Sequence, residues 1–167
     1  LNRLEREVAA PAGIPIYRVT SGNIRNDALD PEHRFASMPL YVKNPDGGDG
    51  MGRRQCTSEY KLKPIKRKIR ELLGAPPRDD GAPGRVPRGR FAEQWIGFST
   101  DEAHRALDAK QTQYMQSRYP LLERGLSRSD CDAINRAAGF PDTAKSACIG
   151  CPFHSNRHWR QMRDNDP

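Results

Sequence analysis

The spacing of apolar residues predicts two amphipathic helices in the first half of the chain. Residues 1–8 place two leucines and a valine on one helical face, and the Pro-Ala-Gly sequence at 11–13 ends this helix. Residues 60–73 place isoleucines and leucines on one face, with Pro64 tolerated in the first turn, and Gly74 ends the second helix. The remaining positions of this second helix are strongly basic.

Alternation of apolar and other residues predicts strands at 14–19 and 94–99, although Pro15 restricts the first of them to a sheet edge or a strand start. The residues between 20 and 54 have a loop-like composition, with the clearest turn cluster at 44–50. A helix followed by a short strand is half of a parallel crossover unit. The pattern therefore predicts an α/β fold.

Helix-start signals predict three further helices in the second half of the chain. Acidic residues in the first turn favour a short helix over 101–107. Ser127 and Asp130 form a capping-box sequence ahead of a helix over 128–138. Ser155 is placed to cap a last helix.

The 167 residues, of which 35% are hydrophobic, predict one α/β domain with extensive loops or with part of its core supplied elsewhere. Residues 75–90 are rich in Pro, Gly and Arg without an apolar period, which indicates a mobile loop or insertion. Residues 127–167 form a cysteine-rich helical segment. Because the chain starts at Leu1 within a helical pattern, we expect it to be a piece of a longer protein.

The chain is basic, with 28 Lys and Arg against 21 Asp and Glu and a formal net charge of +7. This charge favours a nucleic-acid or polyphosphate partner, and it is equally compatible with a compositional bias toward arginine. Neither a membrane-spanning apolar run nor a signal segment is recognisable in the sequence, so we expect a cytoplasmic protein without a membrane partner.

Four cysteines carry the strongest chemical signal in the sequence. Cys148 and Cys151 form a C-x-x-C, and Cys56 and Cys131 are distant along the chain. Four thiolates match the ligand number of a tetrahedral zinc site or of a 4Fe–4S cluster, and a reducing compartment favours metal binding over disulfides. A redox disulfide in the C-x-x-C, and buried apolar roles for the other two cysteines, are the alternatives. Two histidines four residues apart add further candidate ligands, although an exposed helix face is the simpler interpretation: His154 and His158.

Two clusters of polar residues are candidates for ligand binding. The first is basic and lies at a helix start, where cations and backbone amides can hold phosphate or sulfate, although a solvated basic helix is the simpler alternative. Its members are Arg53, Arg54 and Lys61. The second follows a predicted strand, where open α/β sheets bind ligands, although helix caps and an internal ion pair explain the same residues. Its members are Ser99, Asp101, Glu102 and Arg105.

Several of these segments resemble one known family in serial order. Cys56-Thr57, Lys61 and Pro64-Ile65 resemble the C-C/T-x-x-x-K-x-x-P-[LI] segment of the phosphoadenosine phosphosulfate (PAPS) reductase-like family, which belongs to the adenine nucleotide alpha hydrolase, or N-type ATP pyrophosphatase, superfamily. Further resembling segments follow along the chain: 96–105, 119–121, 125–131 and 146–152.

The resemblance implies an open, mostly parallel, doubly wound sheet flanked by helices, and ATP or another adenylyl nucleotide as ligand. Cysteines placed like Cys56, Cys148 and Cys151 bind a 4Fe–4S cluster in related enzymes, and Cys131 is the natural fourth ligand because Thr57 replaces the family's second adjacent cysteine. Lys61 matches the family lysine near sulfate or phosphate. The implied activity is ATP-dependent sulfur transfer, of the nucleic-acid thiolation type, or sulfonucleotide reduction, with a sulfur-donor or redox protein as partner.

The sequence also departs from this family. The S-G-G-x-D-S phosphate loop is absent and is expected upstream of Leu1, and the C-terminal E-C-G-x-H cysteine of the sulfonucleotide reductases is absent as well. The second departure favours sulfur transfer over reduction. Two alternatives stay open: a zinc-stapled basic module that binds nucleic acid, and an inactive subunit of a larger complex.

Overall fold

The chain folds into helices and two small two-stranded sheets, a mixed α/β architecture. The computed structural model describes residues 2–33, 38, 40–107, 112–141 and 151–165. These residues group into two compact units, Leu1–Lys68 and Ile69–Pro167. None of the described helices is long and apolar enough to cross a membrane.

The first unit begins with a short helix, α1 (Asn2–Leu4), which continues as a π-helical turn over Glu5–Ala9. Helix α2 (Ile24–Leu29) follows, and its N-cap Asn23 accepts the backbone N–H of Arg25. Helix α2 lies within residues 20–54, for which the composition predicts loops, because the helix is short and lacks an apolar period.

An antiparallel hairpin occupies the middle of the first unit. Strand β1 (Tyr41–Lys43) pairs with β2 (Asp49–Met51), with Val42 opposite Gly50. The turn predicted at 44–50 is confirmed, since the Asn44 N–H donates to the Gly48 carbonyl at 2.8 Å. The strand predicted at 14–19 is wrong: these residues form neither helix nor strand, because Pro15 lacks a donor and no described strand pairs with them.

The predicted basic helix is confirmed and begins earlier than expected. It runs through α3 (Gln55–Thr57), a π-helical turn over Ser58–Leu62 and α4 (Lys63–Leu72), so that the unit boundary falls within α4. Pro64 has no N–H to continue the ordinary hydrogen-bond series, and the N–H of Lys63 instead reaches back five residues to the Ser58 carbonyl. Gly74 ends the helix with a φ of 76°.

The second unit is built around a parallel strand pair. Strand β3 (Ala92–Trp95) pairs with β4 (Met115–Arg118), with Ala92 opposite Met115 and Trp95 opposite Arg118. The predicted strand at 94–99 is therefore confirmed in part, since it begins and ends earlier. A 3₁₀ turn over Thr100–Glu102 and helix α5 (His104–Leu107) lie on the connection between the strands.

The remaining helices of the second unit follow their local sequence signals. They are α6 (Pro120–Glu123), α7 (Arg128–Ala137) and α8 (Asn156–Asn165). The Ser127–Asp130 capping box is present, and the Ser155 hydroxyl accepts the N–H of His158 at 3.3 Å. Residues 75–90 form no helix or strand, in agreement with their composition, and an isolated bridge pairs Pro77 with Pro83.

Candidate functional site at the carboxyl end of the parallel strands

Ser99 and Asp101 lie just beyond the carboxyl end of β3 and are tied to the start of α7. Ser99 is only 5% exposed, and its Oγ donates to Asp101 Oδ2 at 3.2 Å. The same carboxylate oxygen accepts the backbone N–H of Arg128 at 2.7 Å. This N–H, the first of α7, is the main cause that lowers the pKa of Asp101 below its usual value of 3.8. Asp101 therefore serves as a second cap for α7, beside Ser127.

Glu102 and Arg105 form an ion pair one helical turn apart. Arg128 Nη2 lies 3.9 Å from the other carboxylate oxygen of Glu102, so that two guanidinium groups flank one carboxylate. The side chain of Glu102 is 26% exposed and that of Arg105 is 47% exposed. The alternative that these residues cap and pair with one another thus describes their geometry.

Aromatic rings form the apolar part of the same site. The ring of Phe98 stacks on that of Tyr119, with the centroids 5.8 Å apart and the planes inclined by 9°. The Arg105 guanidinium lies over the Phe98 ring, 4.5 Å from its centroid. Phe98 follows β3 and Tyr119 follows β4, so both rings come from the carboxyl ends of the parallel strands. An aromatic stack beside exposed arginine and buried hydroxyl groups offers stacking, charge and hydrogen bonding to a ligand.

The structure brings together the second predicted cluster and places the first cluster in the other unit. Arg53 and Arg54 precede α3, and Lys61 lies in the π-helical turn. All three side chains are exposed. These cations lie along a helix in which Lys63 pairs with Glu59 and Lys68 lies 4.9 Å from the centroid of the Tyr17 ring. Some of the cations along this helix are therefore held in place by contacts within the first unit.

Three of the four predicted metal ligands fall within the described residues. Cys56 lies in α3, Cys131 lies in α7 and Cys151 precedes α8, and all three are free thiols with half-buried side chains. Cys148 lies outside the described residues. Within the described part of the chain, no group of three or more His, Cys, Asp or Glu residues is placed to hold a metal ion. The chemistry of the donor set fits a thiolate-bound centre, since no described cysteine is consumed by a disulfide.

The rings of the two histidines beside the C-x-x-C lie against one another, inclined by 35°. The ring centroids of His154 and His158 are 4.1 Å apart, and the edge of His154 meets Trp159 at 5.5 Å. The backbone N–H of His154 donates to the Cys151 carbonyl at 3.2 Å, which closes the turn ahead of α8. The turn and the ring contacts give these histidines a structural role next to Cys151.

Sequence reasoning missed the residues that complete the site from distant segments. Phe98 and Tyr119 were within the segments that resemble the family, but the stack between them depends on β4, whose Met-Gln-Ser-Arg sequence carries no alternation. Arg128 was recognised only as the start of a helix, and its N–H reaches a carboxylate 27 residues away. No family model, curated protein or solved structure matches the chain.

Proposed function

We propose that this chain binds an adenine nucleotide at the carboxyl end of β3 and β4 and belongs to the PAPS reductase-like type. One observation carries the proposal: all four residues of the second predicted cluster meet beyond the ends of a parallel strand pair, where α/β sheets bind ligands. The doubly wound sheet that this type implies would need further strands beside β3 and β4, which pair only with each other among the described residues.

The proposed roles follow from the geometry of each side chain. The Phe98–Tyr119 stack supplies an aromatic surface for the adenine ring, and Arg105 supplies charge to the ligand's phosphates. Asp101 holds the start of α7 in place, and the buried Ser99 hydroxyl orients that carboxylate. Glu102 holds Arg105 over the Phe98 ring through the ion pair.

The proposed sulfur chemistry depends on the cysteines. Cys56, Cys131, Cys148 and Cys151 would hold a 4Fe–4S cluster, with zinc as the alternative metal for the same four thiolates. A bound cluster would supply one-electron redox chemistry. Arg53, Arg54 and Lys61 would bind phosphate or sulfate. The proposed reaction class is nucleotide-dependent sulfur transfer onto nucleic acid, with sulfonucleotide reduction as the second candidate.

The nucleotide site is tested by titrating the chain with ATP while recording backbone amide signals by NMR. We expect saturable shifts at Phe98, Ser99 and Tyr119. Arg105→Gln should weaken ATP binding by roughly ten- to a hundredfold, because a charge-assisted contact contributes roughly 1.5–3 kcal/mol. Arg124→Gln is the matched control, since Arg124 is an exposed arginine of the same unit. ATP binding that is equally weakened by both variants, or that leaves the signals of Phe98, Ser99 and Tyr119 unshifted, would reject this site.

The metal centre is tested separately by anaerobic purification, absorbance, and iron and sulfide analysis. The proposal expects a brown protein with iron and acid-labile sulfide, both lost when Cys131 is replaced by serine. A colourless protein with stoichiometric zinc rejects the cluster. Zinc together with salt-sensitive, ATP-independent nucleic-acid binding would support the second candidate, a zinc-stapled basic module, which the basic residues along α4 and the +7 charge favour.

A further inference from the structure

An open cleft of about 470 Å³ lies in the second unit at the amino end of β4, opposite to the end where Ser99 and Asp101 lie. Tyr114 precedes β4 directly, and its carbonyl accepts the N–H of Ala92 at 2.9 Å. The cleft is lined by three arginines and by small or uncharged residues, and no carboxylate is among them. The residues used below are Arg70, Arg78, Gly84, Arg85, Gln113 and Tyr114.

Arg70, near the end of α4, is held rigidly at the wall of this cleft. Its Nε donates to the Gly84 carbonyl at 3.0 Å, and its Nη2 donates to the carbonyls of Pro83 and Gly84. Among the described residues, no hydrogen bond uses Nη1. A guanidinium fixed through two of its nitrogens loses little conformational entropy when the third one binds a ligand.

Gly84 lets the irregular segment at 75–90 form this wall. Its N–H donates to the Pro76 carbonyl at 2.6 Å, and a Cβ at Gly84 would lie 2.7 Å from that same carbonyl oxygen. Across the turn, the N–H of Arg78 donates to the Ala82 carbonyl at 2.8 Å. The segment is therefore fixed to itself and to Arg70 by hydrogen bonds.

The cleft carries a net positive charge once the other two arginines and their partners are counted. Arg78 pairs with Asp80 through Nε and Nη2, and this guanidinium lowers the pKa of Asp80 to about 2, so that both partners stay charged at neutral pH. Asp80 offsets one of the three positive charges. Arg85 is exposed, and it forms no hydrogen bond or ion pair with any residue that the structure describes.

We propose that this cleft binds a phosphomonoester dianion, at a site distinct from the proposed nucleotide site. Two uncompensated guanidinium charges match the two negative charges of a terminal phosphate, and arginine donors match its oxygens in pairs. Gln113 and Tyr114 provide neutral hydrogen-bonding groups beside the anion. The ligand is either a small phosphate ester or the terminal phosphate of a nucleic-acid strand, which share this chemistry.

The test is an NMR titration with four probes: inorganic phosphate, glycerol 3-phosphate, a short 5′-phosphorylated oligonucleotide, and the same oligonucleotide with a 5′-hydroxyl. We expect phosphate to shift the amide signals of Gly84, Arg85 and Tyr114 saturably, without shifts at Ser99. Arg85→Gln should weaken phosphate binding about tenfold, equivalent to about 1.4 kcal/mol. The control Arg124→Gln, which removes the same charge outside the cleft, should change it less than about twofold.

Each probe decides a different part of the proposal. Tighter binding of glycerol 3-phosphate supports a small ester as the ligand, and tighter binding of the 5′-phosphorylated strand supports a nucleic-acid end. Equal binding of the two oligonucleotides, weakened alike by Arg85→Gln, would overturn the monoester assignment in favour of backbone diesters. Absence of shifts at Gly84 and Arg85 with all four probes would overturn the site itself. Neither result bears on ATP binding at Ser99, so the two proposals fail independently.

Discussion

A hydrogen bond between side chains connects α2 with the π-helical turn of the first unit. The Tyr60 hydroxyl donates to Asp27 Oδ2 at 2.6 Å, and the bond to this carboxylate raises the pKa of Tyr60 to about 12. The side chain of Asp27 is 19% exposed, and His33 Nε2 lies 3.9 Å from the same oxygen. The pair joins residues 33 positions apart, so it stabilises the tertiary arrangement of this unit rather than either helix alone.

This bond predicts the ionisation behaviour of Tyr60. Because an unfolded tyrosine loses its proton near pH 10, and folded Tyr60 does so at about 12, the bond stabilises the fold fully below about pH 10. Its contribution is lost as pH rises toward about 12. We expect the tyrosinate absorbance that Tyr60→Phe removes to titrate at about 12, and to move toward 10 in Asp27→Asn.

Tyr41→Phe is the control for that titration, because Tyr41 is an exposed tyrosine of the same unit. If the absorbance removed by Tyr60→Phe titrates at the same pH as that removed by Tyr41→Phe, the hydrogen bond is absent in solution.

At the scale of the element, α7 shows how two carboxylates hold one helix start. Asp130 closes the capping box from within the helix, and the Ser127 hydroxyl is the main cause that lowers its pKa. Asp101 reaches the Arg128 N–H from the other side, across 27 positions of sequence. Both carboxylates also face the positive end of the helix dipole. The start of α7, and with it the position of Cys131, therefore depends on carboxylates that are ionised.

A pH-dependent effect of Asp101→Asn follows from this arrangement. A lowered pKa means that Asp101 stabilises the fold above the usual value near 4, and that this contribution is lost as pH falls through the lower, folded value. We therefore expect Asp101→Asn to lower the urea midpoint at pH 7 and to approach the wild-type midpoint as pH falls through the lowered folded pKa. Asp132→Asn, which removes a charge further along α7, should show a smaller difference at pH 7. A deficit of Asp101→Asn that stays constant as pH falls from 7 through that folded pKa contradicts an electrostatic role.

The local signals of α7 were readable in the sequence, whereas its distant partner was not. Ser127, Asp130 and Gly139 define the helix ends within a dozen residues, and all three behave as expected. The contact of Asp101 with Arg128 depends on a tertiary approach that no local pattern encodes. Strand β4 was missed for the same reason, since its pairing with β3 rather than its own composition makes it a strand. The strand predicted at 14–19 shows the converse, because alternation without a pairing strand leaves the backbone irregular.

At the scale of the whole molecule, the chain buries little apolar surface. Among the described residues, the buried apolar side chains are those of Ala9 and Met115, each 6% exposed, together with Pro64 and Pro83. Large side chains such as Leu29 and Trp95 are 75% and 67% exposed. The low hydrophobic fraction of the sequence, 35%, already predicts a small apolar core. Arginine–carbonyl bonds such as that of Arg70, together with caps and ion pairs, accompany these few buried apolar contacts.

The heat capacity of unfolding should reflect this sparse core. An ordinary domain of this length has a heat-capacity increment on the order of 2 kcal/mol/K, at about 12–15 cal/mol/K per residue, because unfolding exposes buried apolar surface. We expect less than about half of that value for the metal-free chain, measured by differential scanning calorimetry across pH values at which unfolding is reversible. Since a ligand that binds only the folded state raises the transition temperature by mass action, phosphate and ATP should each raise it in the wild type. Arg85→Gln should reduce the increase given by phosphate, in line with the weaker binding, and change the increase given by ATP less. An increment near 2 kcal/mol/K for the metal-free chain would show that unfolding exposes far more apolar surface than these contacts bury, and would overturn this account of its stability.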